Sequence, residues 1–74
     1  MNKPFYVHAE WDAEAHVWVA TSDEVPGLAT EADTTEALVQ KLKTLIPELL
    51  AANDQRTEQP IAFELLTRRF ELAA

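Results

Sequence analysis

The chain has 74 residues, no cysteine and one glycine, which limits it to one small domain, residues 1–74, and removes thiol nucleophiles, thiolate zinc sites and disulfides together. With 47% hydrophobic residues it is globular rather than disordered despite a net charge of −7, and so small a core makes a homo-oligomer the expected state. The acidity is uneven: residues 1–54 carry 3 basic and 10 acidic side chains, residues 55–74 carry 3 of each, so the field repels phosphate backbones and anionic membranes and favours basic protein partners.

Phe5-Tyr6-Val7-His8-Ala9-Glu10-Trp11 and His16-Val17-Trp18-Val19-Ala20-Thr21-Ser22 are rich in β-branched and aromatic residues, with Asp12-Ala13-Glu14-Ala15 between them. They predict a hairpin. If Trp11 pairs with His16, then Phe5, Val7, Ala9 and Trp11 share a sheet face with Trp18, Ala20 and Ser22, and Tyr6, His8 and Glu10 share the other with Val17, Val19 and Thr21. The first face is the more apolar and is expected to be buried, with small Ala9 and Ala20 admitting a helix close to the sheet.

Val25-Pro26-Gly27-Leu28 places proline and the only glycine where a type II turn needs them. A third strand over Leu28–Ala32 follows. Asp33-Thr34-Thr35-Glu36 fits a helix start, Asp33 capping and Glu36 reaching back to the N–H of the capping residue. Leu38, Val39, Leu42, Leu45, Ile46, Leu49 and Leu50 then form an unbroken helical stripe. Pro47 lies inside it and removes the bond to the Lys43 carbonyl; because Leu49 and Leu50 keep the register, a kink without a stop is expected. Asn53–Pro60 is polar and reads as a loop. Ile61-Ala62-Phe63-Glu64-Leu65 alternates as a strand, although Leu66 breaks phase and Phe63, Leu66 and Phe70 also fit a helix face; the strand is favoured.

The longest apolar runs are about four residues against the roughly 20 a spanning helix needs, and Met1-Asn2-Lys3-Pro4 leads straight into strand pattern rather than a signal-peptide core. A cytoplasmic protein without membrane contact is expected. His8 and Glu10 share a strand face, but with His16 projecting to the opposite face no third nitrogen ligand converges, so neither metal nor cofactor is expected. Asp12, Glu14, Asp23 and Glu24 lie in or beside turns, where carboxylates cap N–H groups. One glycine cannot build a phosphate cradle, and Ser22, Thr21 and Thr30 have no nucleophile elbow around them. Arg68-Arg69 reads as a strand edge or salt-bridge patch rather than a nucleic-acid contact, and Trp11 and Trp18 as core packing rather than base stacking. An enzyme is not expected. One helix covers only one face of a four-stranded sheet, so Tyr6, Val17 and Val19 await a partner.

Together, Phe5–Asp12, Val17–Ser22, Val25-Pro26-Gly27-Leu28, Thr30-Glu31-Ala32-Asp33-Thr34 and Leu45-Ile46-Pro47-Glu48-Leu49-Leu50 resemble the small HicB-like family of stand-alone uncharacterised domains over nearly the whole chain. More distantly, the Val25-Pro26-Gly27 turn and the Thr30–Thr34 helix entry resemble the N-terminal domain of bacterial HicB antitoxins. The resemblance implies an α+β domain of partial RNase H-like fold, β-β-β-α-β, with one mostly antiparallel four-stranded sheet, a single helix on one face, and the last strand beside the first and parallel to it. It also implies a toxin–antitoxin role, in which the domain binds and covers a small basic mRNA-cleaving toxin of the HicA type. The antitoxins' separate DNA-binding domain finds no counterpart among these residues, so operator binding is not expected. Fold likeness to RNase H carries no nuclease activity with it, since Glu10 is the only carboxylate expected within the first strand. The residues assigned to partner binding are Tyr6, His8, Glu10, Asp12, Glu14, Val17 and Val19; the other reading is a homo-oligomeric module without a toxin partner.

Overall fold

A computed structural model describes residues 3–55 and 60–74; Met1, Asn2 and residues 56–59, the middle of the expected polar loop, lie outside it. Five elements follow in the order β1 (Phe5–Asp12), β2 (Val17–Thr21), β3 (Ala29–Ala32), α1 (Thr35–Ala52) and β4 (Phe63–Arg68). They form a mixed four-stranded sheet in the order β3-β2-β1-β4. β1–β2 and β2–β3 are antiparallel, and β4 lies parallel to β1, the α+β arrangement expected.

The hairpin register differs from expectation. Trp11 pairs with Trp18, not His16, and Ala9 with Ala20. The cause is the connection: the His16 N–H bonds the Asp12 carbonyl at 2.8 Å with His16 in the left-handed region at φ 56°. His16 therefore closes the loop instead of opening β2. The slip is two residues, and side chains alternate with period two, so every residue keeps its expected face. The other boundaries shift by one or two positions: β3 begins at Ala29 rather than Leu28 and β4 at Phe63 rather than Ile61, whereas β1 runs on past Trp11 to Asp12.

Gly27, at φ 79°, makes the type II turn with the Leu28 N–H bonded to the Val25 carbonyl at 3.2 Å. The helix cap is one residue later than expected. Thr34 is extended (φ −131°, ψ 158°) and its hydroxyl accepts from the Ala37 N–H at 3.0 Å, whereas the Glu36 carboxylate accepts from the Thr35 hydroxyl rather than reaching back to a cap. The helix continues through Pro47 to Ala52. It then closes on a Schellman motif: Asp54 takes φ 58°, its N–H bonds the Ala51 carbonyl at 3.1 Å, and the Gln55 N–H bonds the Leu50 carbonyl at 2.8 Å.

Leu38, Leu42, Ile46 and Leu50, spaced four apart, are the buried line of α1. They pack on Val7, Ala9, Ala20 and Ala32 from the sheet and on Val25 and Leu28 from the turn. Ala9 and Ala20 pair side by side under the helix, 1% and 0% exposed; their small side chains leave room for the four helical side chains to reach the sheet. Trp18 is half-buried against this core. Trp11 corrects the expectation of packing under the helix: it sits at the margin, its ring 5.3 Å from that of Trp18 and 6.2 Å from that of His16, with the Arg69 guanidinium 4.5 Å over its face.

Candidate protein-binding face

The odd-numbered residues of β1 turn toward α1, so the even-numbered ones form the far side of the sheet. The registers place cross-strand rows on that side: Glu31–Val19–Glu10–Arg68, then Ala29–Thr21–His8–Leu66, with Tyr6 beside Glu64. Among the described residues, no helix lies over them. Tyr6 and Val19 are each 37% exposed and Leu66 is 45% exposed, while His8 and Glu10 are exposed and Val17 is half-buried. An apolar strip with a carboxylate on either side of Val19 is a surface suited to holding another protein.

The seven residues assigned from the sequence divide by role. Tyr6, His8, Glu10, Val17 and Val19 lie on this one face, as expected. Asp12 ends β1 on the same side as Glu10, so two carboxylates rather than one belong to that strand. Its Oδ1 accepts from the N–H groups of Glu14 and Ala15 at 3.0 and 3.2 Å, which makes it a turn cap first. Glu14 stands in the exposed hairpin loop at the end of the face. Among the described residues, no three histidine or carboxylate side chains are grouped to hold a metal ion.

One end of the face is held by a network around Tyr6. The Ser22 hydroxyl donates to the Tyr6 carbonyl at 2.7 Å and accepts from the N–H groups of Glu24 and Val25 at 3.1 and 3.2 Å. The Tyr6 N–H in turn donates to Glu24 Oε1 at 2.7 Å. This clips the loop after β2 onto β1 where the β1–β2 ladder runs out, and Tyr6, His8, Asp23, Glu24 and Leu66 thereby line an open depression of about 360 Å³.

Sequence reasoning missed the members of the face that lie outside the first hairpin: Ala29 and Glu31 from β3, and Glu64, Leu66 and Arg68 from β4. The signal for Leu66 was present, because the phase break after Leu65 marks an apolar side chain aimed at the uncovered side. Arg68 and Arg69 do not act as a cluster: Arg68, the last residue of β4, stands beside Glu10, while Arg69, just past the strand, pairs with Glu71 and lays its guanidinium over Trp11.

The sequence profile of a family described as a domain of unknown function (DUF1902) matches residues 4–73. The solved structure of the hypothetical protein TTHA1013 from the extremely thermophilic bacterium Thermus thermophilus is similar to this chain, with 48% identity over 96% of this chain and 100% of that one and a TM-score of 0.83. No curated protein matches.

Proposed function

We propose, from the premise that this chain belongs to the DUF1902 family of domains of unknown function, that it is a cytoplasmic protein-binding domain of the HicB antitoxin type, which covers a small basic RNA-cleaving toxin and performs no chemistry of its own. One observation carries the reading: Tyr6, Val19 and Leu66 stand 37–45% exposed on a sheet face that no helix among the described residues covers, bordered by Glu10, Glu31 and Glu14 in the acidic part of the chain. Apolar contacts at the centre would give affinity, and the carboxylates would steer a lysine- or arginine-rich surface and fix its orientation. No cofactor, metal or direct nucleic-acid contact enters the reading.

The test is co-expression with a short basic reading frame beside the gene. If the reading holds, the basic product alone halts growth, wild type restores it, and Val19→Asp/Leu66→Asp fails to restore it while remaining folded by circular dichroism. The absence of such a frame, or rescue by the double variant equal to that by wild type, overturns it. A second reading, a self-associating module without a toxin, is favoured by Phe70 and Leu72, which lie 78% and 85% exposed beyond β4.

A further inference from the structure

β4 is an edge strand, and its free side has an ordered chemistry. The Phe5 N–H bonds the Ala62 carbonyl at 2.9 Å, so in the parallel ladder the even-numbered residues of β4 turn their main-chain groups toward β1. Phe63, Leu65 and Thr67 therefore turn theirs outward, and among the described residues no strand lies beyond them in the sheet order β3-β2-β1-β4. Such an edge is a template for another strand. The chain also continues past the sheet. The molecule is 48 Å long, whereas an 18-residue helix spans only about 27 Å, and exposed Phe70 and Leu72 lie in this continuation.

The sequence of that edge is self-complementary. Reading Glu64-Leu65-Leu66-Thr67-Arg68 against itself in the opposite direction about Leu66 places Leu66 on Leu66, Glu64 on Arg68 and Leu65 on Thr67. The parity required for hydrogen bonding agrees: Leu65 and Thr67, whose groups point outward, become bonded partners, and Leu66 faces its own copy in a non-bonded pair with Cα atoms about 4.5 Å apart. Extending the register sets Phe70 against Ala62 and Leu72 against Pro60 of the second copy. The exposed apolar residues thus fall on small or apolar neighbours, and opposite charges meet twice. Residues 60–74 hold two arginines and two glutamates, so two copies of a −7 chain meet at a neutral segment, which avoids the like-charge repulsion any other edge would bring.

We infer that two copies of this chain pair antiparallel along β4 in the register centred on Leu66, forming one eight-stranded sheet with both helices on the same face. The dyad is perpendicular to the sheet, as an isologous edge contact requires. The two uncovered faces then join across the Leu66 pair into one continuous surface. This inference is independent of the toxin-binding reading, since it concerns the edge rather than what the face holds.

Light scattering at tens of micromolar tests it, with expected mass twice that of the chain. Thr67→Pro removes an outward N–H without touching the ladder to β1, and should give a monomer with unchanged circular dichroism. Glu64→Arg alone sets arginine against arginine and Arg68→Glu alone sets glutamate against glutamate; each should weaken the dimer about tenfold. The double exchange Glu64→Arg/Arg68→Glu should restore the wild-type dissociation constant, a rescue that only this register predicts. A monomeric wild type, a Thr67→Pro variant that stays dimeric, or a double exchange as weak as the single ones overturns the proposal.

Discussion

The two faces of the same four strands obey different rules. On one, Val7, Ala9, Ala20 and Ala32 are 0–7% exposed beneath Leu38, Leu42, Ile46 and Leu50; on the other, Tyr6, Val19 and Leu66 are 37–45% exposed although their chemistry is no less apolar. Burial on the first follows from small residues paired under the helix, with bulk supplied from the helix side. Exposure on the second follows from topology alone, since the only helix among the described residues is already spent on the first. An apolar side chain in this sheet is therefore informative about stability on one face and about partners on the other.

The contrast is broken most sharply by truncating a leucine on each side. Leu42 is 0% exposed, so Leu42→Ala should cost about 3–4 kcal/mol, the transfer loss plus the cavity left behind, a large part of the stability of so small a domain. Leu66→Ala should cost less than about 1 kcal/mol at concentrations where the chain is monomeric. Urea titration of both variants reads the difference, and equal losses would show that the uncovered face is covered in solution even at high dilution.

Trp18 falls between these limits. It is half-buried against the core and edge-on to Trp11, so Trp18→Ala should cost about 2 kcal/mol, below the 3–5 of a fully enclosed tryptophan. Fluorescence-monitored unfolding of this variant, with Trp11 as reporter, provides the measurement.

A smaller effect isolates the helix entry. Thr34→Ala should cost about 1 kcal/mol because it orphans the Ala37 N–H. Asp33→Ala should cost no more than about 0.5 kcal/mol, as a carboxylate near a helix start acts only through the dipole. Thermal melts that rank the two in reverse would move the cap back to Asp33.

What the sequence made legible follows the same division. Period-two alternation assigned Val7 and Ala9 to one face and Tyr6 and His8 to the other, and survived a register error because a slip of two residues preserves faces. The register itself was hidden: it depends on His16 adopting a left-handed conformation at φ 56°, which a histidine does not announce as a glycine would. Helix α1 was legible through Pro47 because the leucines on either side share one phase. The Asp54 C-cap was not, for the same reason as His16. The parallel partnership of β4 with β1 came from resemblance rather than from any residue pattern, since Ile61–Leu65 carries no label for its neighbour. Leu66 breaks the alternation expected of a one-faced strand because β4 has apolar residues on both faces.

The last test concerns the charges that border the uncovered face, where the stability effect should be least and the binding effect greatest. Glu14 lies in the hairpin loop and Glu31 beside Val19; both are exposed, and among the described residues neither side chain is in an ion pair. Asp12 is a poor choice for this purpose, since it holds the turn through Glu14 and Ala15, and Glu10 stands beside Arg68, where a lysine would meet a like charge. Glu14→Lys/Glu31→Lys should therefore move the unfolding free energy by no more than about 0.5 kcal/mol. The same double variant lowers the net negative charge by four, and it should slow association with a basic partner several-fold at low salt. The difference from wild type should vanish as the screening length falls from about 8 Å at physiological ionic strength to about 3 Å at 1 M. Stopped-flow association and dissociation across a salt series separate the outcomes: slowed association that converges on wild type at high salt assigns these carboxylates to steering, whereas association equal to wild type at every salt with faster dissociation places them inside the contact itself.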